Sequence, residues 1–384
     1  MKTYTTEEMT AIYTARKEKL FAYMKENNIT AVIFEDCEER RNPAVRYFSG
    51  HPSDALFIAC NDGKKGKTVL IPWDENLAQE RAIDCKIVPY NKFNRENTKA
   101  VRETLKSFGI KERKNIDIPP TTPYPLFLKY VDALDGWDVR CRDHSVHDYV
   151  VQLRTCKDEY EIACTKEAAR IGDIIIELIE QGVQNGSIKT ETDVALLIEK
   201  ECRAHGCERT GFDTLAAGPG RSWAIHAFPG YTAAEWPAQG LSILDFGVVY
   251  EGYTSDTTLT IAKGPLTEAQ EKQITLVEKA AEQALPFYKA GIPIRQAGAA
   301  AELVFSKAKR VMPHTLGHGI GLEIHEYPRI SGKIPEEQCF KAGMIVTLEP
   351  GLYDAEIGGC RLENDVLITA EEPEVITHSK IIRI

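Results

Sequence analysis

The stretch "LSILDFGVVYEGYTSDTTLTIA", residues 241–262, decides how the C-terminal part of this chain is read. Two apolar runs flank "EGY", the pattern of two strands joined by a tight turn. Each run carries one acid, Asp245 in the first and Asp256 in the second. A turn tip at 250 and 251 sets Asp245 directly opposite Asp256, with Cβ atoms about 4.5–5.5 Å apart, a spacing at which like charges destabilise a strand pair. Such a hairpin is expected to hold a cation between the two carboxylates; the alternative is a bulge that shifts the register and turns one of them to solvent.

A second segment repeats the case. In "GMIVTLEPGLYDAEIGGCRLENDVLIT", Glu349 closes one apolar run and Glu363 interrupts another. Pairing about residue 356 sets them opposite each other. Glutamate is depleted in strands and rarely buried without a partner, so two independent acid pairs need a chemical reason. Between the hairpins lies "HTLGHGIGLEIHEYP", residues 314–328, with three of the chain's nine histidines. Four carboxylates and one imidazole match the ligand set for two divalent ions, whose charge of about +4 cancels the acids and leaves room for a bridging hydroxide. His318 is the expected imidazole ligand, because Gly317 and Gly319 on either side let the backbone approach closely. His314 and His325 are then neighbours of the metals and not ligands.

The rest of the chain bounds the setting. Its 384 residues exceed what one core usually holds, so two domains are expected. A net charge of -10 excludes the basic footprint of a nucleic-acid or anionic-membrane binder. No apolar leader or membrane-length run is present in the sequence, which predicts a soluble, cytoplasmic protein. Ten cysteines scattered without a C-x-x-C pair read as reduced thiols. Helical and Val/Ile-rich segments alternate from residue 6 to about 140, predicting an α/β layer domain over residues 1–150 with strands at "ITAVIFE", "DALFIAC", "KTVLIP", "KIVPY" and "NIDIP". Residues 151–384 change rhythm. Helices over 157–182 and 191–205 precede extended segments at 211–217 and 241–262; helices from 267 to 289 and over 295–310 precede others at 344–353 and 360–369. Two capping boxes, Thr190 to Asp193 and Thr267 to Gln270, mark helix starts. Each half reads helix, helix, hairpin, a pseudo-symmetric α+β arrangement.

"LDFG" with Asp256 following, "HTLGHGIGLEIHEYPR", "TLEPGLY" and "GGCRLEND" resemble the successive motifs of the creatinase, prolidase and methionine aminopeptidase superfamily, the pita-bread metallopeptidases, closest to Xaa-Pro dipeptidases (prolidases) and aminopeptidase P. The resemblance implies a C-terminal pita-bread catalytic domain preceded by a smaller creatinase-like α/β domain. It implies Asp245 on one metal, Asp256 and Glu363 bridging both, and His318 and Glu349 completing the other. Glu349 is implied as proton shuttle. His325 and His226 are implied as catalytic donors to the substrate oxyanion, although "IHA" around His226 departs from the family's "PHG". His314 is expected beside the substrate, Arg329 as clamp of a dipeptide carboxylate, and Arg361 as support for a metal-bound carboxylate. Manganese is the expected metal, with cobalt, zinc or iron as alternatives. The expected partners are a small peptide substrate and a second copy of the chain in a homodimer. Competing readings are an aminopeptidase of broader specificity, a metal-free amidinohydrolase, a lyase, or a non-catalytic binding protein on the same fold.

Overall fold

Helix α1 (Thr6–Glu26) begins where the sequence supplies its cap: the Thr5 hydroxyl accepts from the Glu8 amide, and the Glu8 carboxylate accepts from the Thr5 amide. The computed structural model describes residues 2–61 and 66–384, which divide into two compact units, Lys2–Leu153 and Arg154–Ile384. In the first unit, strands β1 (Ala31–Asp36), β2 (Ala55–Asn61), β3 (Gly66–Pro72), β4 (Asn115–Asp117) and β5 (Asp138–Arg140) line up as β3-β2-β1-β4-β5. Every residue of β1 is buried, as expected of a central strand covered on both faces. Helices α2 (Pro43–Ser49), α3 (Glu75–Arg81), α4 (Asn97–Ser107), α5 (Tyr124–Ala133) and α6 (Val146–Leu153) complete the layers. The expected strand "KIVPY" does not form: Ile87 makes one isolated bridge to Leu70, and Tyr90–Phe93 is a 3-10 turn. Helices α2 and α5 go beyond the sequence expectation. The signals for α2 are local, an Asn42 cap, Pro43 at the first turn and Gly50 in the left-handed region at its end.

In the second unit, α7 (Glu159–Gln184) and α8 (Glu191–Ala204) precede β6 (Arg209–Thr210), β7 (Leu215–Ala217), β8 (Gly240–Phe246), β9 (Val248–Tyr250), β10 (Tyr253–Thr254) and β11 (Thr257–Lys263). The order then recurs: α9 (Glu268–Ala284) and α10 (Ile294–Lys307) precede β12 (Gly317–Gly319), β13 (Glu326–Ile330), β14 (Ile345–Leu348), β15 (Gly351–Asp354), β16 (Gly358–Arg361) and β17 (Asn364–Leu367), followed by β18 (Glu374–Val375) and β19 (Ile381–Arg383). The capping boxes at Thr190 and Thr267 are both made. One core joins Ile175 of α7 and Ile198 of α8 to Leu244 of β8; the other joins Val277 of α9 and Phe305 of α10 to Val346 of β14. The first core lies mainly on the sheet ordered β19-β11-β8-β7 and the second on β13-β12-β14-β17-β18, but Leu241 of β8 and Ala262 of β11 join the second core, and Ala169 of α7 packs with Ile345 of β14 and Leu367 of β17. The ten cysteines are free thiols, six buried and four half-buried.

The two sheets meet where β11, beyond its short pairing with β19, passes the junction of β16 and β17. Thr258 and Glu363 form an isolated antiparallel bridge, the Thr257 hydroxyl donates to the Glu363 carbonyl at 3.2 Å, and the Thr260 hydroxyl donates to the Arg361 carbonyl at 2.8 Å. The threonines of β11 therefore give the seam its side-chain partners. Gly247, between β8 and β9, allows this strand region its close approach, since a Cβ there would fall 1.9 Å from the Ser255 carbonyl oxygen. Gly247→Ala is expected to destabilise the metal-free protein by about 3 kcal/mol or more through overpacking. Gly220→Ala, where an added Cβ meets nothing within 4 Å, should stay within about 0.5 kcal/mol. Urea denaturation of both variants checks this, and equal midpoints would contradict the close approach.

Candidate functional site

The first acid pair is offset from its expected register. Glu251 (φ 47°) and Gly252 (φ 87°) are both left-handed and form the hairpin tip, so Tyr250 pairs with Tyr253. The tip lies one residue later than expected, which moves every partner by two. Asp245 faces Thr258, not Asp256. A shift of two keeps side chains on the same face, and Asp245 remains near enough to raise the pKa of Asp256. The Thr258 hydroxyl fills the position opposite Asp245, accepting from Arg361 Nε at 3.0 Å and donating to Glu363 Oε2 at 2.6 Å.

The second pair falls as expected. Leu348 pairs with Asn364 and Gly351 with Arg361, so Glu349 and Glu363 face each other in the gap between two ladders. The gap frees their amides for other partners: Glu349 donates to the Leu316 carbonyl and Glu363 to the Thr258 carbonyl. Asp256, His318 and Glu363 each present a ligand atom, all within 4.8 Å of one another. His318 Nε2 lies 3.7 Å from Asp256 Oδ2 and 3.5 Å from Glu349 Oε1. Its Nδ1 is 3.0 Å from the Gly319 carbonyl. A carbonyl can only accept, so Nδ1 carries the proton and the Nε2 lone pair faces the carboxylates, the tautomer that a metal ligand needs. Gly317 is required next to it: a Cβ there would lie 2.1 Å from the Thr347 carbonyl oxygen.

The electrostatics of the cluster are unfavourable without a cation. Burial, then the charges of Glu363 and Asp245, push Asp256 well above the usual carboxylate range. Burial and the Glu349 and Asp245 charges do the same to Glu363. Burial raises Glu349 to about 7 against the opposing pull of Arg361. Burial also lowers His314 and His318 to about 4, which keeps both neutral. Arg361, buried and bonded to Asp245 Oδ2, supplies one fixed positive charge. The other oxygen of Asp245, Oδ1, is buried without a hydrogen-bond partner. Several buried carboxylates, a neutral imidazole with its lone pair turned inward and an orphaned carboxylate oxygen suit oxygen-preferring divalent cations. Asp245, Asp256, His318, Glu349 and Glu363 are the residues that could hold them.

The other expected residues surround this centre. His325 is exposed, with its ring centroid 4.4 Å from that of His318. His226 is exposed on the 218–239 loop, and its charge bears on both His314 and His325. His314 Nε2 lies 3.0 Å from the Tyr353 hydroxyl, which accepts from Arg361 Nη1 at 2.8 Å. Arg329 is exposed on β13, directly opposite His318. Several further contributors were given no role by the sequence. Tyr353 and Thr258 link Arg361 to the cluster, and Asp365, fully buried, accepts from the Asp256 amide at 2.9 Å. Asp365 follows Glu363 by two in "LEND", the one signal that could have marked it. Glu326, next to His325, is held by Lys157 Nζ at 3.1 Å and by Arg154 Nη2, all three side chains being nearly inaccessible.

Comparison with known proteins adds to this geometry. Residues 163–370 match metallopeptidase family M24, and residues 16–145 match the creatinase/prolidase N-terminal domain. An Xaa-Pro dipeptidase of Pyrococcus horikoshii is 30% identical over 373 residues, covering 96% of this chain and 98% of that protein. Among solved structures, an Xaa-Pro dipeptidase from Bacillus anthracis is similar with a TM-score of 0.81 at 26% identity, covering 97% of this chain and 100% of that one. An X-Pro aminopeptidase from Thermotoga maritima is similar with a TM-score of 0.80 at 25% identity, covering 96% and 100%.

The Glu326 network makes a pH-dependent prediction. Burial alone would raise its pKa, but the Lys157 and Arg154 charges hold it at about 2, against 4.5 ordinarily. A carboxyl depressed in the folded state contributes stability above its unfolded pKa and loses it as pH falls through the folded value. The stability that Glu326 contributes is therefore lost progressively from about pH 4.5 down to about pH 2. Glu326→Gln should be less stable than wild type at pH 7, and the gap should narrow across that window. Urea midpoints measured against pH test this; a constant gap would contradict the assignment.

Proposed function

Because the chain belongs to metallopeptidase family M24 and carries a creatinase/prolidase N-terminal domain, we propose that it hydrolyses Xaa-Pro bonds of dipeptides or short peptides, using two divalent metal ions held by Asp245, Asp256, His318, Glu349 and Glu363. The observation that carries the reading is the meeting of those carboxylates with the inward lone pair of His318 at one buried seam. Manganese suits this carboxylate-dominated set. When bound, the ions would supply Lewis acidity and a water acidic enough to attack near neutral pH.

The chain's own residues do the rest. Glu349, facing His318, takes a proton and passes it to the leaving nitrogen. That nitrogen is the proline imino group, which has no N–H in the peptide and must gain a proton as the bond breaks. His325 and His226 donate hydrogen bonds to the oxygen on which negative charge develops. His314, tied to Tyr353, lines the substrate's approach. Arg361 steadies Asp245. Arg329, opposite His318, clamps the free carboxylate of a dipeptide through two parallel charge-assisted hydrogen bonds. No helix among the described residues is long and apolar enough to cross a membrane, in keeping with a cytoplasmic enzyme; a homodimer remains part of the proposal by family resemblance. The second reading is an Xaa-Pro aminopeptidase, favoured by the likeness to the Thermotoga maritima structure.

Hydrolysis of Xaa-Pro dipeptides, Xaa-Pro-Yaa tripeptides and Xaa-Ala controls by the manganese-loaded protein decides between them. A tripeptide carries its carboxylate about 3.3–3.6 Å beyond the clamp. Dipeptides should therefore be preferred, and Arg329→Ala should erase the preference mainly by raising KM. Preference for tripeptides, with Arg329→Ala indifferent, would move the enzyme to the aminopeptidase side, and cleavage of Xaa-Ala alone would end the Xaa-Pro reading. His325→Ala should lower kcat by about 10²- to 10³-fold with metal content intact; loss of metal instead would make His325 a ligand.

A further inference from the structure

Glu191 is the first residue of α8 and its side chain is fully buried. Capping does not require it there, because Thr190 and Asp193 already cap the helix. A buried carboxylate at this point needs strong donors to offset its desolvation. All of them come from one loop. Glu191 Oε1 accepts from the Gly218 amide at 2.9 Å, and Oε2 accepts from the Thr232 amide at 2.7 Å and the Thr232 hydroxyl at 2.6 Å. Gly218 directly follows β7 and Thr232 lies on the return arm of the same excursion, so one carboxylate ties its two ends together. The loop answers in kind: its Thr232 and Ala234 carbonyls accept the Thr192 and Glu191 amides, two of the otherwise orphaned donors at the start of α8.

His226 sits within the closed segment. Arg221 Nε points at Glu191 Oε1 from 3.6 Å, while its Nη2 donates to the Pro229 carbonyl at 2.6 Å and so braces the outgoing arm against the returning one, on either side of His226. Arg361, which also bonds Asp245, donates to the carbonyl of Ile225, the residue before His226. The loop is thereby fixed at its base by Glu191, across its width by Arg221 and near its tip by Arg361.

We infer that Glu191 is a positioning residue for the reaction: its carboxylate closes the 218–232 loop and aligns Arg221, and so sets where His226 meets the substrate. The inference rests on the reading of His226 as an oxyanion donor. It explains why a carboxylate, and not an amide, stands at this position. Both oxygens accept from main-chain N–H groups, so glutamine would turn its own NH₂ against one of them whichever way it is placed.

The test is a double-mutant cycle on the manganese-loaded full chain with an Xaa-Pro dipeptide, together with amide hydrogen exchange of the metal-loaded proteins. Glu191→Gln is expected to lower kcat by about 10- to 100-fold, the size of a misplaced catalytic group, with metal content unchanged and exchange faster over residues 218–232 alone. In the His226→Ala background the same substitution should change kcat by less than about 2-fold, because residues acting through one another are not additive. An equal fall in both backgrounds, or slower turnover without faster loop exchange, would overturn the inference. If His226→Ala alone leaves kcat unchanged, the oxyanion reading fails, and unaltered loop exchange in Glu191→Gln would then overturn the latch itself while faster exchange confined to 218–232 would support it. Should Glu191→Gln not fold, Thr232→Val removes one of the three donors and undergoes the same measurements, where the same results support or overturn the inference.

Discussion

Repulsion among carboxylates buried at the seam between two sheets is the constraint on which the rest of this structure depends. Asp245, Asp256 and Glu363 are all less than one-tenth exposed, and taking even one uncompensated ion out of water costs several kcal/mol. The chain brings them together regardless, and Arg361 supplies only one fixed charge against them. Cations between the carboxylates would turn this repulsion into a cross-link, since side chains from both sheets would then be bound to common ions.

The supporting structure is arranged around that seam. Thr258 and Thr260 of β11 give hydroxyls to the Glu363 side chain and the Arg361 carbonyl, so the contacts that join the two sheets also place the Glu363 carboxylate. Apolar cores built on α7–α8 and on α9–α10 back the two sheets, and polar groups converge at the seam. The two exposed histidines proposed to meet the substrate, His325 and His226, have buried charged side chains beside them. Arg154 and Lys157 grip Glu326 beside His325, and Glu191 grips the loop that carries His226. In both cases a buried charge holds the backbone near an exposed histidine, an arrangement that would give the proposed donors both solvent access and a defined position.

How much of this was legible in the sequence follows from the range of each signal. The cluster of Asp256, His318, Glu349 and Glu363 could be read because acids and the glycine-flanked His318 inside apolar runs violate the pattern of a buried strand, and the Glu349–Glu363 register was right. The Asp245–Asp256 register was off by two because "YEGY" permits adjacent tips, and only the left-handed pair at Glu251 and Gly252 selects one. Helix starts were legible where side chains close a capping box within four residues. Glu191, Glu326, Tyr353 and Asp365 were not, because the partners that give them their roles, Gly218, Arg154, Arg361 and Asp256, lie between 8 and 172 residues away along the chain. Nothing in the local pattern distinguishes a glutamate that caps or solvates a helix from one that latches a distant loop.

The claim that the seam is a cation site is tested most directly by calorimetric titration of chelator-treated protein with Mn(II). Two equivalents per chain are predicted, with the stoichiometry falling and the affinity dropping in Glu363→Gln, which keeps the shape of the side chain but removes the shared charge. Absence of binding, or binding of unchanged stoichiometry and affinity in Glu363→Gln, would contradict the account.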